Sequence, residues 1–464
     1  MSVLILPLML SLAQAEPNVV LISMDTTRAD AISCYGRLAG LDPQVSGPTT
    51  PVLDALAADG MRFEHFYSNA PTTLSSHATM LSGRDPHTHA VPRNGFPLHP
   101  AVPTLPKRLA DLGYDTIGVI GAKALEADMG LNRGFRVYDD HTPVRRTAMF
   151  QATADNVVLR TLKAVDDRPD PNKPTFLFVH FYDPHAPYEA PPPFRKKFTP
   201  PGYEGHFADG MQYKLQPLRR ALIKGQPRPK DVAMVNGLYQ GEVAFTDHQI
   251  GVLLAGLRVR GLLDDALVVV TADHGEALHD SERFSYSHGS DVDDTTIHVP
   301  LIVRSYGDSV VVDRRVVQRQ ADMSGLAPTI ERMLGLQPQL GDDFWQLVRP
   351  GPVLDVDGWP EHPTTPAFSE ATRPFSDDTT QWNNAALYQS VRVGPHELRA
   401  APALGVAPFV VDAPSGWFSD NPMLELLTEV MDSWNAKAPP FRHESMEEGT
   451  RAALEALGYL EPEE

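Results

Sequence analysis

The strongest constraint on the fold is a set of short, almost wholly apolar runs, each about the length of a strand and each followed by polar or turn residues. These runs cover residues 18–24, 116–120, 175–181, 266–271 and 300–304. Such runs are typical of strands buried on both faces of a parallel sheet. Helical patterns lie between them, at 51–60, 105–113 and 242–257. The alternation predicts an α/β domain with a large, mainly parallel central sheet flanked by helices.

Polar side chains follow three of these runs at the point where each predicted strand ends. Asp25 follows the first, the Asp183-Pro184-His185 segment follows the third, and Asp273 with His274 follows the fourth. Ligands of open α/β sheets bind beyond the carboxyl ends of the strands. We therefore expect these groups to meet at one edge of the sheet, although long stretches of chain separate them.

The chain divides into three parts by pattern. Residues 1–16 contain an apolar run ending in Ala13-Gln14-Ala15, which is typical of an export signal and too short to span a bilayer. A short buried segment is the alternative. We expect a catalytic domain over 17–345. A smaller α+β subdomain is expected over 346–464, with antiparallel strands at 386–393 and 407–411 and an acidic tail helix at 447–460.

The net charge of the chain limits the classes of molecule that it is expected to bind. The formal net charge of −19 disfavours binding to nucleic acid or to an anionic membrane surface, both of which require a positive face. We expect an exported protein, periplasmic or extracellular, without an integral membrane span. Its single cysteine, Cys34, provides no disulfide framework.

Three ordered segments carry the chemistry. The first ends at Asp25, the second is the run A-P-T-T-L-S-S-H-A-T-M-L-S-G around Thr73, and the third contains Asp273-His274-Gly275-Glu276. Together they resemble the sulfatase family of the alkaline-phosphatase superfamily, over roughly residues 17–340. The resemblance implies an alkaline-phosphatase-like three-layer fold and cleavage or transfer at a sulfate or phosphate ester. Sulfatases form formylglycine from Cys or Ser in a C/S-x-P-S-R motif, whereas this chain has Thr73, which cannot become that aldehyde.

Asp25, Asp273 and His274 are expected to hold one divalent cation, because two carboxylates and an imidazole are suitable ligands for such an ion. Both Asp273 and His274 can face one site only where the strand ends, and we expect Gly275 to permit the turn. Calcium-binding sulfatases usually carry a second aspartate where this chain has Thr26. Manganese or zinc is therefore slightly favoured over calcium.

Thr73 is expected to be both the fourth metal ligand and the nucleophile. A threonine hydroxyl reacts poorly unless a cation or a base activates it. The following residues predict a helix that begins at a Ser75 cap, so that Thr73 lies at the positive helix end, where an oxyanion binds well. Thr72 is the alternative nucleophile.

The resemblance also suggests groups that contact the substrate. His185 and His288 are expected to protonate the leaving group or to hold the substrate's oxygens. His77 replaces the motif's arginine and either contacts the anion or orders the loop. Arg28 and Asn94 are each expected either to contact the substrate or to support the groups that do. Two Asp-x-x-x-His spacings, at 85–89 and 294–298, are misplaced for a second metal, so we expect one ion.

The sequence therefore predicts a metal-dependent hydrolase that attacks sulfur or phosphorus with Thr73. Sulfate and phosphate or phosphonate esters, free or carried on a glycan or lipid, remain equal candidates at this stage. Two alternatives stay open: a phosphotransferase that passes the group to an acceptor alcohol, and a non-catalytic, metal-containing binding protein.

Overall fold

The central feature of the structure, a computed structural model, is an eight-stranded sheet in the order β5-β4-β6-β1-β7-β8-β2-β9. The structure describes residues 16–142, 151–208, 216–280, 286–350, 365–372, 386–401, 405–411 and 422–437. The strands of this sheet are β1 (Asn18–Met24), β2 (Met61–Phe63), β4 (Asp115–Val119), β5 (Val137–Asp139), β6 (Thr175–Phe181), β7 (Ala266–Ala272), β8 (Leu301–Tyr306) and β9 (Arg315–Val317).

Two smaller sheets complete the strands. A parallel pair joins β3 (Phe66–Tyr67) to β10 (Ala321–Asp322). An antiparallel sheet has the order β11 (Ala367–Thr372), β12 (Ala386–Val393), β13 (His396–Ala401) and β14 (Val406–Val411). We call this second sheet the C-terminal sheet.

Helices cover the sheets. They are α1 (Pro51–Asp59), α2 (Thr73–Ser82), α3 (Pro86–His89), α4 (Leu105–Asp111), α5 (Ala154–Asp166), α6 (Pro192–Phe198), α7 (Gln216–Ile223), α8 (Pro229–Val259), α9 (Asp294–Ile297), α10 (Leu326–Met333), α11 (Trp345–Val348) and α12 (Pro422–Asn435). Among the described residues, no helix has both the length and the apolarity that crossing a bilayer requires.

The large sheet is buried on both faces, as its uninterrupted apolar strands predict. Strand β1 runs parallel to β6 on one side and to β7 on the other. Val20 and Ile22 pack in the core shared with α1, α5 and α8, whereas Val19 and Leu21 pack in the core shared with α2, α4 and α10. The predicted mainly parallel, three-layer α/β fold is confirmed, and only β8 runs antiparallel to both of its neighbours in the large sheet.

The smaller subdomain is also present. The C-terminal sheet packs against α12 through a core that includes Val391, Leu398 and Leu427. The division at residue 345 stays a prediction, and Leu347 and Val348 pack in the core of the large domain. The expected export signal over 1–16 lies almost wholly outside the described residues, and the expected tail helix at 447–460 lies outside them completely.

Candidate active site

Two adjacent strands place the expected carboxylates side by side. In the register of β1 and β7, Met24 lies opposite Ala272, and Asp25 and Asp273 follow these residues directly. Both aspartates are completely buried. The prediction that polar groups from distant parts of the chain meet at one sheet edge is therefore confirmed for this pair.

The turn after β1 has unusual backbone geometry. Thr26 has a φ of 49°, in the left-handed region that β-branched residues seldom adopt. Its N–H donates to Oδ1 of Asp273 over 3.1 Å, and the N–H of His274 donates to the same oxygen over 2.7 Å. These two bonds fix the Asp273 carboxylate, while its Oδ2 accepts no hydrogen bond from any described group.

His274 is oriented as a metal ligand would be. Its Nδ1 lies 2.9 Å from the carbonyl oxygen of Gly275, which only accepts hydrogen bonds, so Nδ1 carries the proton of the neutral ring. The bare Nε2 then faces the aspartates, 3.4 Å from Oδ2 of Asp273 and 3.8 Å from Oδ1 of Asp25. A backbone carbonyl that fixes the tautomer in this way is a common feature of metal-binding histidines.

Gly275 is required for a reason other than the one predicted. Its backbone lies outside the left-handed region, so the turn itself does not need glycine. A Cβ at this position would lie 2.2 Å from the carbonyl oxygen of Thr295. The glycine therefore permits a close approach between two chain segments.

Thr73 is the first residue of α2, and the predicted Ser75 cap is wrong. Thr72 occupies the N-cap position, and the Ser75 hydroxyl donates to the carbonyl oxygen of Val91 over 2.6 Å. The hydroxyls of Thr72 and Thr73 are both buried and have no hydrogen-bond partner among the described groups. Asn94 has the supporting one of its two predicted roles, because it accepts the Leu74 N–H over 2.7 Å and so secures the first turn of α2.

Helix α2 is anchored beside Asp273. The Ser76 hydroxyl donates to the carbonyl oxygen of Asp273 over 2.6 Å. His77 lies 2.7 Å from the Thr73 carbonyl oxygen through Nδ1 and 2.9 Å from the Ser23 hydroxyl through Nε2. Burial lowers the pKa of His77 to about 3. Both nitrogens are engaged in the protein, so His77 orders the helix start, the second of its two predicted roles.

His180, in the middle of the β6 sequence F-V-H-F, was not predicted. Its Nε2 lies 3.3 Å from Oδ2 of Asp25. The N–H of Gly121 donates to Nδ1 over 3.4 Å, which leaves the ring proton on Nε2, and Nε2 makes no hydrogen bond to a described group. Burial lowers the pKa of His180 to about 4, so the ring is neutral. His180 therefore lies beside Asp25 without a hydrogen bond to it, and no sequence signal distinguishes it from a core histidine.

The donor set fits a cation. Oδ1 and Oδ2 of Asp25, Oδ2 of Asp273 and Nε2 of His274 are all buried without hydrogen-bond partners among the described residues, and ligand atoms of these three residues lie within 4.8 Å of one another. Burial raises the pKa of Asp25 to about 6, and burial followed by the Asp25 charge raises the pKa of Asp273. Two unpaired carboxylates in one dry site are costly unless a positive ion neutralises them.

A second group, His77, His180 and Asp273, also has ligand atoms close enough together to hold a metal ion. Its histidines are less suitable, because His77 uses both nitrogens in the protein and His180 carries its ring proton on Nε2. The group of Asp25, Asp273 and His274 therefore fits a cation better.

His185 and His288 lie together at the more exposed side of the site. Their ring centroids are 4.9 Å apart, and the ring of His288 is 4.6 Å from that of His274. Burial, and then the neighbouring His288, place the pKa of His185 well below its ordinary value. Burial also acts to lower the pKa of His288, but the nearby Glu276 outweighs it and the net shift is upward.

Glu276, the last residue of the Asp273-His274-Gly275-Glu276 segment, has no role predicted from the sequence. Its Oε1 lies 3.4 Å from Nδ1 of His288, and its Oε2 accepts the Tyr188 hydroxyl over 3.2 Å. Glu276 is buried. The carboxylate therefore orients the His288 ring towards the site.

Arg28 has a supporting position, the second of its two predicted roles. Its guanidinium pairs with Asp30 over 2.7 Å and with Asp280 over 2.8 Å. Both pairs are bidentate, which uses the planar fork fully. Arg28 joins the loop after β1 to the loop after Asp273, which keeps those loops together.

Comparison with known families and curated proteins gives consistent results. The family described as Sulfatase matches residues 17–336. An arylsulfatase of Clostridium perfringens is 24% identical over 327 residues, which cover 58% of this chain and 65% of that protein. The human N-sulphoglucosamine sulphohydrolase is 26% identical over 239 residues, 50% of this chain and 46% of that protein. The chain thus spans less than two thirds of these two relatives.

A third curated relative is matched over more of its length. The multifunctional alkaline phosphatase superfamily protein PehA of Trinickia caryophylli is 24% identical over 390 residues, 68% of this chain and 74% of that protein.

Solved structures share the whole architecture. The phosphonate monoester hydrolase of Agrobacterium radiobacter superposes with a TM-score of 0.64 at 20% identity, covering 91% of this chain and 95% of its own. The phosphonate monoester hydrolase SpPMH of Silicibacter pomeroyi gives 0.65 at 21% identity, covering 92% and 99%. At such identities the likeness establishes the fold.

Proposed function

The chain belongs to the sulfatase family, and from that premise we propose that it is a metal-dependent ester hydrolase with an unmodified Thr73 as the nucleophile. The observation that carries the proposal is the set of buried, partnerless oxygen and nitrogen atoms on Asp25, Asp273 and His274, beside the helix that begins at Thr73. Such atoms are rare in folded proteins unless a ligand satisfies them.

Asp25, Asp273 and His274, with the Thr73 hydroxyl, would hold one divalent cation. When bound, the ion would neutralise the carboxylates, acidify the hydroxyl and offset negative charge on the ester. Mn²⁺ or Zn²⁺ suits a site with an imidazole ligand better than Ca²⁺ does. The N–H groups of Thr26 and His274 hold the Asp273 carboxylate in position.

The chemical step is an in-line displacement. The Thr73 Oγ1 attacks phosphorus or sulfur and loses its proton to water. The bond from that atom to the ester oxygen breaks, and the departing oxygen takes a proton. Water then attacks the threonine ester at phosphorus or sulfur, which releases the inorganic or phosphonic acid and restores the hydroxyl.

The two exposed-side histidines have different roles in this proposal. His288 is oriented by Glu276 and favours its protonated form, so it is the better donor to the leaving oxygen. His185 favours its neutral form, because its pKa is lowered. Its Nδ1 lies 2.7 Å from the Ala186 carbonyl oxygen, which fixes the ring against His288.

Phosphate and phosphonate esters are the substrate class that we favour. The hydrate of formylglycine can expel sulfate through its second hydroxyl, whereas a threonine ester offers no such route and must be attacked at the central atom. Sulfate esters are the second candidate, supported by the family and by the sulfatases among the relatives.

A comparison of Thr73→Ala with Thr72→Ala tests the nucleophile. Both hydroxyls are buried next to each other, so Thr72→Ala is the matched control and also tests the alternative nucleophile. On p-nitrophenyl phosphate, p-nitrophenyl phenylphosphonate and p-nitrophenyl sulfate we expect Thr73→Ala to lose about 10³-fold or more in kcat/KM. Thr72→Ala should stay within about tenfold of wild type.

Three outcomes would change the proposal. Turnover by Thr73→Ala close to that of wild type would show that Thr73 is not the nucleophile. Product carried on an added acceptor alcohol in place of water would identify a phosphotransferase. Retained metal with no turnover of any ester would favour a binding protein.

A further inference from the structure

Three consecutive carbonyl oxygens, those of Thr296, Ile297 and His298, bind the chain segments that carry the proposed metal ligands. Thr296 accepts the Gly275 N–H over 2.7 Å, directly after His274. The other two accept from Ser68 over 2.8 Å and from Ala29 over 3.1 Å. We call residues 293–298 the clamp segment.

Each of these bonds is close to a ligand in the chain. Ala29 is in the turn after Asp25, and Ser68 begins the loop that leads to Thr73. The Ser68 hydroxyl is also 3.0 Å from that of Ser76, which in turn donates to the carbonyl oxygen of Asp273. The clamp segment is thus a common support for all three ligand-bearing segments.

The C-terminal sheet holds the clamp segment from outside. Arg392 on β12 pairs with Asp294 over 2.8 Å, and Arg399 on β13 pairs with Asp293. Both arginines are buried, and Glu397 bridges them over 2.7 Å to each. Buried charges are costly to leave unpaired, which favours the pairing of both arginines, although the Asp294 side chain itself is 65% exposed.

Further contacts extend this interface. The Ser369 hydroxyl on β11 donates to the Ser68 carbonyl oxygen over 2.6 Å, and the Glu370 N–H donates to the Asn69 carbonyl oxygen over 2.9 Å. A small apolar core of Tyr67, Val292, Ile297, Ala367 and Ala371 fills the space between the two parts of the chain.

We propose that Arg392 and Arg399 are positioning residues for the metal site, which act through the clamp segment. The C-terminal sheet is then part of the working active site and not an attached module. This inference rests on the proposed function for the metal itself, and on the hydrogen bonds above for the positioning.

The test compares Arg392→Gln with Arg160→Gln in the full chain. Arg160 is also largely buried and pairs with Asp139 over 2.6 Å, but it has no contact with the clamp segment. Calorimetric titration of chelator-treated protein with Mn²⁺ should give at least a tenfold weaker Kd for Arg392→Gln. Arg160→Gln should stay within twofold of wild type.

Milder variants keep the test informative if Arg392→Gln folds poorly. Asp294→Asn removes the same ion pair from the other side and should weaken Mn²⁺ binding similarly. Because the two residues act as one unit, the double variant should be no worse than the weaker single variant. Arg392→Lys should restore part of the affinity.

Hydrogen exchange supplies a readout that needs no metal. Peptides containing Ala29, Ser68 and Gly275 should exchange at least fivefold faster in Arg392→Gln than in wild type, with no change in Arg160→Gln. Unchanged exchange in these three peptides would overturn the positioning role. Faster exchange of these peptides in Arg392→Gln, together with a wild-type protein that binds no Mn²⁺ and hydrolyses no ester, would instead leave the positioning intact and refute the proposed function.

Discussion

At the scale of single residues, the site contains buried carboxylates whose charge does not stabilise the fold. Asp25 and Asp273 are completely buried, and neither pairs with an arginine or lysine in the described structure. By contrast, Arg28 and Asp280 pair with each other in the same region. The two unpaired carboxylates therefore cost stability in the metal-free protein, which is a common property of functional sites.

Asp25→Asn should separate stability from function. Because burial raises the pKa of Asp25 to about 6, the charged form is disfavoured in the fold. A neutral amide should raise the free energy of unfolding of the metal-free protein by about 1–2 kcal/mol while weakening metal binding. Urea unfolding in EDTA at pH 8, with metal titration alongside, measures both.

Asp115→Asn is the matched control for this substitution. Asp115 is equally enclosed but pairs with Arg136. Its variant should lose stability in the same measurement. Equal destabilisation by the two variants would contradict the conclusion that the unpaired Asp25 carboxylate lowers the stability of the metal-free protein.

Residues at strand ends were the ones that the sequence could predict. Asp25, Asp273 and His274 were predicted because each follows a buried apolar run, and position in a strand is encoded locally. His180 was missed because it lies inside such a run, where a polar residue carries no local signal. The supporting role of Arg28 cannot be distinguished from substrate contact in the sequence, because its partner Asp280 is 252 positions away.

At the scale of elements, one aspartate joins two helices. Asp247, on α8, accepts the Leu53 N–H over 2.8 Å and the Val52 N–H over 3.2 Å. These are free N–H groups in the first turn of α1. The contact orients α1 against α8 and joins residues 195 positions apart in the chain.

Asp247 should also make stability depend on pH. Burial raises its pKa from 3.8 to about 7, although the two backbone N–H groups oppose the shift. The folded state therefore binds a proton that the unfolded state has lost. The resulting stability is fully present below about pH 4, falls as the pH rises towards 7, and is absent above it.

Between about pH 4 and pH 7, the free energy of unfolding of the wild type should fall by about 1–3 kcal/mol relative to that of Asp247→Asn. Urea unfolding at half-unit pH steps measures the difference, and the exposed Asp264→Asn should show none. A constant difference between wild type and Asp247→Asn would contradict the prediction.

The elements themselves were largely predictable, because buried strands have a clear composition. The runs at 18–24 and 175–181 match β1 and β6, and the others differ by one or two residues at an end. Helix α8 begins well before the predicted residue 242, because its first half is also apolar. The start of α2 could not be read, because Ser75 bonds to Val91 through tertiary contact instead of capping.

At the scale of the whole molecule, the C-terminal sheet and the large domain form one functional unit. The sequence after about residue 340 carried no readable chemistry, since its contribution lies in ion pairs such as Arg392 with Asp294, 98 positions apart. Ion pairs between distant residues leave no periodic pattern in the sequence. Only the folded chain shows that the clamp segment is held from both sides.

Metal removal should weaken the whole fold. An ion that binds only the native state stabilises it by about 2.7 kcal/mol at a concentration of 100 Kd. EDTA should therefore lower Tm, and Mn²⁺ or Zn²⁺ should restore it in a concentration-dependent manner. Differential scanning fluorimetry follows this change, and Asp25→Asn should lose the dependence. A wild-type Tm that ignores both chelator and metal would contradict the cation site.

The enclosed pair of acidic side chains has a consequence beyond catalysis. A protein that is less stable without its ion spends more time unfolded, and unfolded chains are the ones that proteases degrade. Scarcity of the ion would then shorten the protein's lifetime as well as abolish its activity. Its abundance in the cell would follow the supply of the metal.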